Sequence, residues 1–284
     1  MIEHSQFNRS LFTVLLISLV LIIPLLSPMA FAQELGSDTK EWRFAFVPYI
    51  WITSMAGQMT VRGRTVDIDA SFGDILENSD LVFGLNGILA ARKGKWGVYL
   101  DGTYLNMATD DSQLGPLTVS TRSQLGYFEF GGLYRLGEGV WGEDWQEDKP
   151  AKGRRWFLDF LAGGRLTAGD NQFEITGPFA ERTVNQSRTW TDPILGLIGI
   201  TDLTESRKWE ARLKADIGGF GVASQFMWNF VASVGYNFEA LNVNWAPYLG
   251  YRALYQDFSD GSGQNAFAWD MTLHGPVLGL RIAW

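Results

Sequence analysis

The chain has 284 residues, 46 % of them hydrophobic and 19 % charged, with a formal net charge of −8 and no cysteine. That hydrophobic share excludes a disordered or low-complexity chain, the missing cysteine excludes disulfides and a lipidated N-terminal cysteine, and the acidic balance argues against nucleic acid as a partner. Beyond the N-terminal segment no apolar run approaches the ~20 residues of a membrane-spanning helix, so a membrane crossing has to be made by a closed barrel.

The N-terminus carries Arg9, an apolar run over residues 11–26 and the small-residue site Ala30-Phe31-Ala32. This pattern predicts a cleaved signal peptide over residues 1–32 and export through the Sec route. It leaves residues 33–284 as one domain with a single histidine, His274.

From Trp42 onward the chain alternates in period two. A first strand is expected over 42–52, with Trp42, Phe44, Phe46 and Ile50 against Arg43, Ala45 and Tyr49. A long connection over 53–80 comes next, holding a small hairpin around Arg62-Gly63-Arg64 and a capped helical turn at Ser71–Asn78. The second strand is 81–92, then a tight turn at Lys93-Gly94-Lys95, then the third over 96–107. The fourth covers 119–136 and is followed by a solvated loop over 137–155. The fifth is 156–167, a polar loop runs over 168–188, and the sixth is 189–201. Between 208 and 238 the alternation is strictest: Trp209, Ala211, Leu213, Ala215 and Ile217 against Glu210, Arg212, Lys214 and Asp216, a glycine-rich turn at 218–221, then Trp228 to Phe238. That is a β-hairpin, the seventh and eighth strands. The ninth is 241–255 and the tenth 268–284.

Short joins after the second, sixth and eighth strands, and long polar ones after the first, fifth and ninth, predict an all-β antiparallel up-and-down transmembrane barrel of about ten strands, with 8 or 12 as alternatives. The joins at 137–155 and 218–221 break the rule. Tryptophan gives a second signal. Trp42, Trp96, Trp156, Trp209, Trp245 and Trp284 fall at one rim, and Trp190, Trp228 and Trp269 at the other, as two aromatic belts require. With lipid outside, the lumen would hold a charge network of Arg43, Arg92, Asp101, Glu129, Arg135, Asp159, Arg165, Glu210, Arg212, Lys214, Asp216, Arg252 and Arg281. A barrel of this size is largely filled by its side chains. Pro48, Pro193, Pro247 and Pro276 stand inside expected strands and read as bulges or strand ends.

The signal segment, Pro48-Tyr49-Ile50-Trp51, Ser71-Phe72-Gly73-Asp74-Ile75-Leu76, Gly218–Ser224 and the C-terminal aromatic resemble the small outer-membrane barrels of Gram-negative bacteria, on a branch near the OmpW-like and OmpA-like proteins. The resemblance covers the whole mature chain. It implies a porin-like barrel in the cell outer membrane, in contact with membrane lipid and lipopolysaccharide, inserted by the barrel-assembly machinery and monomeric.

No catalytic set or metal site is expected. His274 has Asp270 and Thr272 on its parity but a lipid-facing position and no partner motif, leaving a lipid-modifying hydrolase as the remote alternative. Asp67/Asp69 and Asp110/Asp111 lack the spacing of a calcium loop, and no cofactor is implied. The expected function is a narrow or plugged conduit for small solutes, the alternative a structural or surface-binding barrel. Phe72, Asp74, Ile75, Leu76 and Glu77 form the expected plug, apolar anchors that would fold over the mouth with acids facing Arg92, the alternative being an extended extracellular hairpin held out by Met59 to Ile68.

Overall fold

The computed structural model describes residues 41–71, 73, 86–114, 117–141, 153–176 and 181–284. The expected signal peptide lies outside these residues, and so do Phe72, Asp74, Ile75, Leu76 and Glu77 of the expected plug.

Among the described residues thirteen segments make one antiparallel sheet. They are β1 (Arg43–Trp51), β2 (Ser54–Val61), β3 (Arg64–Ala70), β4 (Asn86–Lys93), β5 (Trp96–Leu114), β6 (Leu117–Trp141), β7 (Arg154–Thr176), β8 (Glu181–Asp202), β9 (Trp209–Gly218), β10 (Ser224–Tyr236), β11 (Phe238–Ala240), β12 (Val243–Asp260) and β13 (Phe267–Ala283). Neighbours in the chain pair from β4 to β10. Then β10 pairs β12, β12 pairs β13, β13 pairs β1 and β1 pairs β4, so the sheet closes on itself. Several segments share one wall position. β1 pairs residues 277–283 of β13 and β2 pairs residues 267–274, so β1 and β2 are the lower and upper halves of one strand. β3 lies on β2 and β4 on β1, side by side in the second position. The result is a closed antiparallel barrel of ten strands.

Both ends of the described chain meet at one rim, where Phe44 N–H donates to the Trp284 carbonyl at 2.8 Å. The joins at 94–95, 203–208 and 241–242 lie at this lower rim, and those at 62–63, 219–223 and 261–266 at the upper one. Gly219 and Gly221 adopt φ of 85° and 72°. A glycine tolerates that region without the steric cost other residues meet, and the turn closes with Gly221 N–H on the Ser224 carbonyl at 3.0 Å.

Two expected connections prove to be wall. Residues 54–61 and 64–70 of the 53–80 connection form β2 and β3. The 168–188 loop is the paired upper ends of β7 and β8, in register from Ala168 opposite Thr189 to Thr176 opposite Glu181. Both stretches are rich in polar residues in the sequence, so they carry no apolar signal of period two.

Each in-strand proline sits where one of its two ladders is interrupted. The β1–β13 register passes from Phe46/Ile282 to Tyr49/Gly279, skipping Pro48. Pro193 lies one residue beyond the β8–β9 ladder and Pro247 one beyond the β10–β12 ladder. Pro276 falls in the break between the β1 and β2 pairings of β13. A missing N–H costs nothing where the ladder has no bond to receive it. At that break a Cβ on Gly275 would stand 1.8 Å from the Ile52 carbonyl oxygen, so the close backbone approach requires glycine.

Candidate functional site

The register places charges of opposite sign in rows around the inner wall. Asp101 on β5, Glu129 on β6, Arg165 on β7 and Asp192 on β8 are successive cross-strand partners. A second row runs Arg135, Asp159, Ile198, Lys214, Val231 and Arg252 across β6 to β12. Because one strand face points inward, these side chains meet across the lumen rather than along the wall.

The central layer is closed. Arg165 is wholly buried and donates to Glu129 Oε1 at 2.8 Å and to Asp216 Oδ1 at 2.7 Å. Glu129 also takes the Lys214 ammonium and, at 3.1 Å, the Arg252 guanidinium. Arg252 reaches Asn229 at 3.0 Å and the Tyr49 hydroxyl at 2.9 Å, and Tyr49 donates to Asp101 at 2.8 Å. Asn229 donates to Asp216 at 2.7 Å. Side chains from β1, β5, β6, β7, β9, β10 and β12 thus form one network. Nearer the lower rim, Asp159 pairs Arg92 and Arg135 at 2.5 Å each, and Glu210 pairs Arg212 at 2.6 Å and Arg281 at 3.1 Å. Arg43 is half-buried opposite Arg92.

Sequence reasoning missed several members. Tyr49, Tyr99, Thr103 and Asn229 tie the charges together, Arg155 pairs Asp202 at 2.8 Å, and Asp192 is buried against Ser224, whose N–H and hydroxyl it accepts at 2.7 and 2.5 Å. Parity alone marks all of them as inward.

The aromatic positions divide. Trp42, Trp96 and Trp209 are exposed at the lower rim and Trp156, Trp245 and Trp284 half-buried there, with Trp96 against Tyr134 at 4.7 Å and Trp209 against Tyr236 at 5.2 Å. On the upper side Trp228 faces outward, stacked on Tyr255 at 6.3 Å. Trp190 and Trp269 depart from the expected belt. Both point inward, 7 % and 2 % exposed, and Trp190 stacks on Phe258 at 4.0 Å while donating to Ser224 Oγ at 3.1 Å. The reason is that above the ion pairs the described inward side chains are largely apolar, around one buried polar cluster of Thr167, Asp192, Ser224 and Gln256. Trp51, Met55, Met59, Phe258, Phe267 and Met271 belong to the same interior cluster.

Outside, the polarity inverts at the same height. The lower wall exposes Ile50, Phe130, Leu195, Leu197, Leu213, Ile217, Phe230, Leu249 and Leu278. The upper wall carries Gln58 bonded to Asp67 at 2.9 Å, Thr60 against Thr65 at 2.8 Å, and exposed Asp270. His274 lies on the outward side and shares a 2.7 Å hydrogen bond with Tyr251. Asp110 and Asp111 fall in β5, and among the described residues no group of three or more His, Cys, Asp or Glu is placed to hold a metal ion.

An apolar band bounded by aromatics outside, with charge inside, is the architecture of an outer-membrane β-barrel. No known family model matches the chain, and no curated protein matches it. Among solved structures it is similar to the outer membrane protease OmpT from Escherichia coli, at 11 % identity and a TM-score of 0.48 over 88 % of this chain and 100 % of that one. It is also similar to Ail, the attachment invasion locus protein of Yersinia pestis, at 10 % identity, TM-score 0.29, over 87 % and 100 %. A third similar structure is the toluene transporter TodX of P. putida, at 7 % identity, TM-score 0.27, over 90 % of each chain. These likenesses assign no activity, and the closed barrel rests on its own hydrogen-bonded ladders.

Proposed function

We propose that the protein is an integral protein of the cell outer membrane and a conduit for small solutes that its central ion-pair layer holds shut at rest. The observation that carries this reading is the network joining Arg165, Glu129, Asp216, Lys214 and Arg252 across the lumen. A lumen that only had to be filled would be filled more favourably by apolar side chains, because buried ion pairs lose hydration that their attraction barely repays. Charges that part and rehydrate leave a polar path, whereas a filled apolar lumen does not. Ion pairs here therefore fit a closure that can be undone.

The test is planar-bilayer recording of the purified wild-type barrel beside Glu129→Gln, which removes the negative charge shared by three cations. Low wild-type conductance that rises in the variant supports the conduit. Silence in both, with the variant still running as a heat-modifiable folded barrel, overturns it in favour of a structural or surface-binding barrel. Recovery of the protein in the soluble periplasmic fraction would overturn the location as well.

A further inference from the structure

Among the described residues of the upper lumen three buried donors have no partner: Nε1 of Trp51, Nε1 of Trp269 and the hydroxyl of Tyr127. All three side chains belong to one interior cluster. Two of them flank a single spot. The Arg252 guanidinium lies 4.7 Å from the Trp51 ring centroid and 3.3 Å from Thr103 Oγ1, and Thr103 is the register partner of Tyr127 on the next strand. Arg252 and Thr103 thus form a polar floor, with Trp51 and Tyr127 standing around it. Trp269 lies higher in the cluster, opposite Met59.

A buried donor left unpaired costs about 1–3 kcal/mol, and such groups are few in native proteins. Three in one apolar cluster mark a place where the acceptor comes from outside the chain. The lining suits a guest, since Met55, Met59 and Met271 are flexible thioether chains that repack around an irregular shape. No ion pair below has to open, because Arg252 already bonds Tyr49, Asn229 and Glu129.

We infer that the upper lumen is a binding site for an uncharged, largely apolar small molecule bearing one oxygen acceptor, which the Tyr127 hydroxyl and the Trp51 indole N–H receive above the Arg252 floor. The unpaired donors are neutral, Arg252 is already held by Glu129, Asn229 and Tyr49, and Asp192 by Ser224 and Gln256, so an ionic ligand would lose hydration without gaining a free counter-ion. The site does not depend on conduction, and its test is separate from that of the conduit.

The full mature barrel in phospholipid vesicles is titrated with 6-propionyl-2-dimethylaminonaphthalene, an uncharged fluorophore with one carbonyl, and energy transfer from tryptophan is recorded against protein-free vesicles. The expected result is a saturable component of one probe per barrel above linear partition into lipid. Tyr127→Phe weakens it about tenfold, as loss of one hydrogen bond in an apolar site does. On the wild-type protein, 2-dimethylaminonaphthalene, which lacks the carbonyl, binds more weakly and is indifferent to that substitution. Linear partition alone, equal affinity for the two probes, or saturable binding unchanged in Tyr127→Phe each overturns the inference. Saturable binding in a barrel that never conducts leaves this site standing and removes the conduit; conductance without saturable binding does the reverse.

Discussion

Replacing Arg165 by methionine removes the cation at the centre of the lumen while keeping a side chain of similar length. Arg165 makes two bonds to Glu129, at 2.8 and 3.0 Å, and one to Asp216 at 2.7 Å. After the change Glu129 retains Lys214 and Arg252, and Asp216 retains Asn229 at 2.7 Å and Lys214 at 3.4 Å. Breaking a buried pair costs about 3–5 kcal/mol because the remaining charge is left without its partner. Each carboxylate here keeps two partners, so the lower end applies, about 3 kcal/mol, or a change of roughly 150-fold in the folding equilibrium at ~1.36 kcal/mol per tenfold. Glu129→Gln removes the negative charge shared by Arg165, Lys214 and Arg252 together and belongs at the upper end, about 5 kcal/mol. The assay is reversible urea unfolding of the barrel in detergent micelles, followed by tryptophan fluorescence and by heat-modifiable migration on gels. A loss below about 0.5 kcal/mol for Arg165→Met, the range of ordinary surface substitutions, would show that water already fills the layer. A loss larger than that of Glu129→Gln would refute the ranking.

Arg212→Met should cost less than about 1 kcal/mol in the same assay, since Arg212 is 31 % exposed and Glu210 keeps Arg281 and Asn237; a loss like that of Arg165 would mean the lower layer is as dry as the central one. Trp190→Ala should cost about 3–5 kcal/mol as a core deletion, because its ring stacks on Phe258 and its N–H holds Ser224. An effect on membrane reconstitution with unchanged stability would return Trp190 to the outer belt.

Much of the lower barrel was legible from period two alone. In β9 the inward side chains Glu210, Arg212, Lys214 and Asp216 and the outward Ala211, Leu213, Ala215 and Ile217 keep their alternation through the whole strand. Strand number followed because each such run is long enough to cross. The upper barrel was harder to see. Residues 54–61, 64–70 and 168–188 are rich in polar and small residues, which is the composition of a loop. Their pairing is a non-local fact, fixed by β13 for β2 and by β8 for β7. Hydrogen-bond partners such as Tyr49 with Asp101, or Asp192 with Ser224, lie 52 and 32 residues apart in the chain, a distance over which one sequence holds no positional signal.

The two tryptophans that left the expected belt explain how the site is organised. Odd-numbered residues of β13 point inward from Phe267 to Arg281, and Trp269 shares that parity; in β8 Trp190 shares it with Asp192 and Ile194. Parity within the strand was therefore the stronger signal, and height along the barrel the weaker one. What changes with height is the solvent outside. Beside lipid the apolar face must turn outward and charges collect in the lumen. Above the Trp228 and Tyr255 level Asp270, Gln58 and Asp67 face out, so the same strands place Trp269, Met271 and Phe258 inside, as a water-soluble barrel would. The lumen thus changes from ionic to apolar where the exterior changes from apolar to polar. At that junction the Arg252 guanidinium lies 4.7 Å from the Trp51 ring centroid while bonding Glu129, so one guanidinium touches both the apolar chamber and the ion-pair layer.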